Sequence, residues 1–349
     1  MSRRGVTLLT AAVLVVVLGV LAAVLPVPYV VLVPGPVTDT LGHVGTTPVI
    51  SVTGARTYDD SGHLYLTTVG VIPGSCDKNP TLEEALRAWF DKHEAVQPKQ
   101  AICPPGQTSQ AVAQQNVDEM TQSQQDAITA ALLYLHYKPT SVHISVAGLS
   151  DGAPAAKVLH TGDLILAING TTVTGIDQLH SLITAKPAGT TLNLAVDRHG
   201  QHLDLRAPTY TDGGRVVLGF QPDLHATFAA PEVKIGIDPN SVGGPSAGLA
   251  FTLGIIDKLT PGSLSGGRVV AGTGTIDGFG NVGPIGGIQQ KIAGATGHGA
   301  TVFLAPASEC DDARRAAPKS LVLVKVDTLA TAVKALQSIA AGRHDFPSC

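Results

Sequence analysis

Residues 6–25 are apolar apart from Thr7, Thr10 and Gly19, and this run constrains everything that follows it. An α-helix needs about 20 apolar residues to cross the hydrocarbon core of a bilayer. Arg3 and Arg4 precede the run, and no charge follows until Asp39. A basic pair ahead of a span stays on the cytoplasmic side, so the body of the chain is expected outside. A cleaved signal peptide is the alternative, but its apolar region is usually only about 7–15 residues long. Here apolar character runs on through Tyr29-Val30-Val31-Leu32-Val33, and Ala22-Ala23 is a weak cleavage cue. The expectation is a cytoplasmic stub and transmembrane anchor over residues 1–33, in the cell membrane.

An outward-facing body makes sense of the cysteines. Cys76, Cys103, Cys310 and Cys349 contain no C-x-x-C pair, and an oxidising compartment allows three pairings of four cysteines. Cys310 with Cys349 would pin the C-terminal tail. Cys76 with Cys103 would bracket a capped helix. The 349 residues suffice for two or three domains. At 44% apolar and 14% charged the chain is not disordered, and a net charge of −4 gives no basic surface for nucleic acid.

Residues 34–139 read as a mixed strand and helix region, with strands at 49–52 and 64–71. Thr81 and Glu84 make a capping box, and Leu82, Ala85, Leu86, Trp89 and Phe90 follow on one helical face. After Pro104-Pro105-Gly106 a second helix carries Ile128, Ala131, Leu132 and Leu135 and stops before Pro139. Residues 140–208 hold a small-Pro-Ala turn at 152–156, Gly162-Asp163 before an apolar strand, and an Asn169-Gly170 hairpin turn. This unit resembles bacterial PDZ domains, which capture peptide C-termini by adding a strand to a sheet edge. The family's G-L-G-F loop does not precede the first strand; Leu218-Gly219-Phe220 lies after the unit instead. Residues 228–349 alternate strands and helices, so the fold class is α/β (α+β), multidomain.

Gly243-Gly244-Pro245-Ser246-Ala247-Gly248 carries the chemistry. Pro245 suits the first turn of a helix, which would place Ser246 among free backbone N–H groups able to stabilise an oxyanion. The segment fits G-x-S-x-G, the nucleophile elbow of α/β-hydrolases, but a loop rather than a strand precedes it. The histidines that follow are His298, between glycines, and His344, near the end. A lysine base is the other reading. On a helix from Ile288, Lys291 shares an apolar stripe with Ile292 and Ala295, while Gln289 and Gln290 point elsewhere. Burial disfavours the charged form of a lysine and frees it to take a serine proton.

With Gly272-Thr273-Gly274 between them, these two segments resemble the proteolytic domain of Lon proteases. The resemblance implies Ser246 as nucleophile, Lys291 as general base and Thr273 as the residue orienting that lysine, with Ser246 and Ala247 N–H groups as oxyanion donors. Two departures stand out. Thr275 replaces an acid, and Gly243 stands where the family usually has Asp. No G-x-x-x-x-G-K-[ST] loop occurs, so no ATPase module is expected. Gly278-Phe279-Gly280-Asn281-Val282-Gly283 lacks a βαβ context, and no H-E-x-x-H occurs; neither cofactor nor metal is expected.

The expected function is a membrane-anchored, ATP-independent serine endopeptidase acting on unfolded or surface polypeptides outside the membrane. The resemblance also implies homo-oligomeric rings. A non-catalytic peptide-binding scaffold and an esterase are the competing readings.

Overall fold

The computed structural model describes residues 3–58, 61–198 and 200–349. The apolar run forms α1 (Arg3–Val24), a helix with no buried residue. It ends earlier than expected. Pro26 and Pro28 stop the helix and favour extended backbone, and the β-branched residues beyond them form β1 (Tyr29–Asp39). Val30, Val31 and Leu32 are buried in a sheet, so residues 29–33 belong to the folded body and not to the anchor.

Three elements and a long helix follow: β2 (His63–Ile72), α2 (Leu82–Phe90), β3 (Ala95–Pro98) and α3 (Ser109–Tyr134). The Thr81–Glu84 capping box is formed. The face expected to pack is only partly used. Ala85 and Ala88 are buried, whereas Leu86, Trp89 and Phe90 are exposed. The first half of α3 was invisible to periodicity because it is rich in Gln; Thr108 caps it.

The middle unit contains β4 (Ser141–Leu149), β5 (Leu164–Ile168), α4 (Ile176–Thr184), β6 (Thr191–Arg198), β7 (Gln201–Pro208) and β8 (Phe220–Thr227). They form an antiparallel sheet in the order β7-β6-β5-β4-β8. Asn169 and Gly170 both have positive φ, as a two-residue hairpin turn requires. Buried Asp163 is held by a two-pronged contact with Arg198 and by the His160 N–H. The unit extends past residue 208, because β8 pairs along β4 from Phe220 to Thr227.

The C-terminal unit comprises α5 (Gly248–Leu259), β9 (Val269–Gly272), α6 (Ile288–Gly297), β10 (Val302–Pro306), α7 (Cys310–Ala316), β11 (Val322–Val326) and α8 (Leu329–Ala340). Its sheet runs β11-β10-β9-β2-β1-β3. Strand β9 lies parallel to β2, with Ala271 opposite Tyr65. Residues 34–139 therefore do not stand apart; their strands complete this sheet and α3 packs on α5. Helix α5 is apolar nearly all round because the sheet covers one side and α3 the other.

Cys76 is bonded to Cys103, and Cys310 to Cys349. The second bond holds the tail where Ser348 bridges to Val324 on β11. With separations of 27 and 39 residues, each contributes roughly 3–4 kcal/mol in the chain-entropy account.

Candidate active site

Ser246 lies in a turn just ahead of α5. The helix starts at Gly248, so Pro245 sits in the turn and not in the first helical turn. Four bonds fix this turn. Gly244 N–H donates to Asn116 O, and Ser123 Oγ donates to Pro245 O, both from α3. Gly274 N–H and Thr273 Oγ1 both donate to Ser246 O. The N–H groups of Ser246 and Ala247 donate to no acceptor among the described residues.

Lys291 is in the first turn of α6, which begins after the left-handed Gly287. A Cβ at Gly287 would also press on Val69, so two constraints select glycine there. Ile288, Lys291, Ile292 and Ala295 are buried together. Gln290 is buried as well, against expectation, and donates to His93 O.

The lysine Nζ lies 2.8 Å from Ser246 Oγ, 3.1 Å from Thr273 Oγ1 and 2.9 Å from Thr67 O. Thr273 Oγ1 gives its own proton to Ser246 O, so towards the lysine it accepts. An ammonium would donate to all three oxygens; in the neutral amine two N–H groups go to Thr67 O and Thr273 Oγ1 and the lone pair faces Ser246 Oγ. The energetics favour the neutral amine. Lys291 is 2% exposed, and burial brings its pKa down to about 7. No carboxylate or histidine lines the surrounding cleft among the described residues. That cleft measures about 530 Å³, with Val69, Val71, Ile102 and Met120 among its apolar walls.

Thr67 was not legible as a site residue. It acts through a backbone carbonyl on β2, about which side-chain identity says nothing. The departure at Gly243 has a steric reason: a Cβ there would lie 2.8 Å from Asn116 Cβ on α3. His298 is elsewhere, its ring bonded to Gly294 O, and His344 is exposed.

Two further features lie away from the site. Leu218-Gly219-Phe220 turns back to face α4 across a pocket of about 240 Å³, which Leu179, His180 and Ile183 also line. The loop missing ahead of the first strand is thus matched by one entering β8 from the other end of the unit. Separately, Asp126, Asp223 and His225 bring one potential ligand atom each within 4.8 Å of one another, a group no sequence spacing announced because α3 and β8 supply it. It touches neither Ser246 nor Lys291. Burial and the nearby Asp223 carboxylate push Asp126 up to about 8, so it holds a proton at neutral pH.

Comparison with known proteins identifies both units. Residues 120–209 match the PDZ domain family, and residues 223–338 match the Lon protease (S16) C-terminal proteolytic domain. The chain carries a PDZ domain and a Lon-type proteolytic domain. Over 91 residues it is 36% identical to Lon protease 1 of Bacillus subtilis (strain 168), which is 26% of this chain. The chain spans 11% of the length of that relative. Among solved structures, the PDZ domain of an SdrC-like protein from Listeria monocytogenes aligns at 25% identity and TM-score 0.23, covering 24% of this chain and 92% of that one. Its counterpart from Listeria innocua aligns at 22% identity and TM-score 0.22, covering 23% and 92%.

Thr273 Oγ1 lies between Ser246 O and Lys291 Nζ, so the proposed role for it is to position the lysine rather than to react. Thr273→Val should lower kcat by about tenfold, the worth of one or two lost hydrogen bonds, with little change in KM. Thr273→Ser should restore most of it. Steady-state kinetics on a peptide substrate separates the two variants.

Proposed function

We propose that this chain is a membrane-anchored, ATP-independent serine endopeptidase with its body outside the membrane. The reading rests chiefly on one observation: a buried lysine amine, its pKa brought down to about 7 by burial, 2.8 Å from a serine oxygen in an open cleft. Lys291 Nζ takes the Ser246 proton as Oγ bonds to the peptide carbonyl carbon. The carbonyl oxygen becomes an oxyanion within reach of the Ser246 and Ala247 N–H groups. The lysine ammonium then gives its proton to the departing amine, and water deprotonated by the same lysine releases the acyl group.

The α1 helix and the two disulfides support an outward-facing body, since disulfides persist in oxidising compartments. The PDZ pocket supports capture of peptide C-termini, with an extended chain laid along the start of β8. The Lon-type domain supports assembly into homo-oligomeric rings.

The esterase reading finds no histidine at Ser246. The scaffold reading is met by experiment: digestion of casein by the wild type, compared with Ser246→Ala and with ATP and Mg²⁺ added. The wild type should cut casein equally with and without ATP, and Ser246→Ala should leave it intact. Casein left whole by the wild type would favour the scaffold, and stimulation by ATP would refute energy independence.

A further inference from the structure

Helix α2 carries a wholly apolar exposed face for which the folded body offers no cover. Trp89 is 72% exposed, Phe90 85% and Leu86 48%. With Leu82 they occupy i, i+4, i+7 and i+8, which is one side of the helix. Ala85 and Ala88 supply the buried side, so α2 is fixed to the body by its small residues and turns its large ones outward. A contiguous apolar face of this kind marks an interaction surface.

The place of α2 says what that surface meets. Its first turn is fastened to the end of α1. Leu82 N–H donates to Leu25 O, Val27 N–H donates to Pro80 O, and Pro26 bridges to Thr81. Helices α1 and α2 pack together, and Ala22 is the one residue between Val6 and Val24 that is partly buried rather than exposed. Helix α2 thus sits beside the last turn of the apolar helix, where a span would leave the hydrocarbon. Tyr29, 40% exposed, opens β1 and donates its N–H to Val27 O, the residue whose own N–H is tied to Pro80 ahead of α2. Trp and Tyr at this depth place an apolar ring in the lipid and a polar edge at the headgroups.

We infer that α2 lies in the outer membrane–water interface and inserts Leu86, Trp89 and Phe90 among the lipid headgroups and upper acyl chains. This rests on the proposal that α1 spans the membrane. A single span leaves the body free to tilt and swivel about its exit. A second contact through α2 limits that freedom and sets how the cleft, whose wall includes Gln97 and Ile102 just beyond α2, faces polypeptides near the membrane.

Trp89 is the only tryptophan, so its emission reports on this face alone. The full chain is reconstituted into phosphatidylcholine vesicles, with and without lipid brominated near the top of the acyl chain, and floated on a density gradient. The expected result is flotation, blue-shifted Trp89 emission that the brominated lipid largely removes, and shielding from aqueous acrylamide. Leu86→Ser with Phe90→Ser should shift the emission to the red and restore acrylamide quenching while the protein still floats. Flotation with Trp89 open to acrylamide and blind to bromine would overturn the interfacial contact and leave the anchor standing. Shielding from acrylamide without bromine quenching would assign the face to a second copy of the chain and overturn it equally. Protein left at the bottom of the gradient would remove the anchor, and the inference with it.

Discussion

Ser246→Ala and Lys291→Ala should each lower peptidase kcat by more than about a thousandfold, and the double variant should be no worse than either. In the proposed mechanism the two side chains act as one unit across 2.8 Å, so removing either leaves only binding and the oxyanion donors. Lys291→Arg should fail as completely. A guanidinium remains charged at working pH and has no lone pair to accept the serine proton. The pH profile carries the same mechanism. Burial lowers Lys291 to about 7, so the basic form grows as pH rises through 7. kcat/KM should rise about tenfold per pH unit below that point and level off above it. A profile flat from pH 6 to 8, or turnover by either lysine variant near that of the wild type, would remove Lys291 from the role of base.

Much of this site was legible because its residues sit in local patterns. Gly-Pro-Ser-Ala-Gly reads as a glycine-rich turn running into an apolar helix, and Lys291 falls on the apolar stripe of α6 by its spacing from Ile288 and Ile292. What was not legible came from long-range pairing. Thr67 enters through a backbone carbonyl whose position depends on β2 lying beside β9, a contact separated by about 200 residues. Strand β1 was hidden in the apolar run because a buried strand and the end of a membrane helix have the same composition; only Pro26 and Pro28 mark the change. The polar half of α3 gave no periodic signal, yet it holds the Ser246 turn through Asn116 O and Ser123 Oγ. The PDZ unit shows in its turns, but no local signal ties β8 to it, because the strand that completes the sheet comes after a hairpin and not before the first strand.

The same helix α3 also fastens the PDZ unit, and there the second large effect is expected. Within α3 Gln122 Nε2 donates to Asp126 Oδ1; across to β8 it reaches Asp223 Oδ2, Ala226 N–H donates to Thr129 Oγ1, and Gly278 N–H reaches Asp223 Oδ1 from the proteolytic domain. Ser145 on β4 meets the His225 ring. His143 lies nearby on β4, and Asp277 faces the group from the loop ahead of Gly278. Burial first, and the Asp223 charge second, hold Asp126 protonated up to about pH 8, far above its ordinary 3.8. Between those values the unfolded chain has released this proton and the folded chain has kept it, so the term makes stability fall as pH rises. His225 works in the opposite sense, because burial lowers it, but it titrates below its ordinary 6.5 and is silent above that. Lys291 also opposes, gaining stability as pH rises beyond about 7. Comparison with Asp126→Asn cancels both, since they are common to the two proteins. The asparagine amide can donate to Asp223 as the protonated acid does and still accept from Gln122. From pH 6.5 to 8 the wild type should lose about 2 kcal/mol of unfolding free energy relative to Asp126→Asn. Urea unfolding followed by circular dichroism across that range measures the difference, and two curves that run parallel would show that Asp126 is ionised in the folded protein.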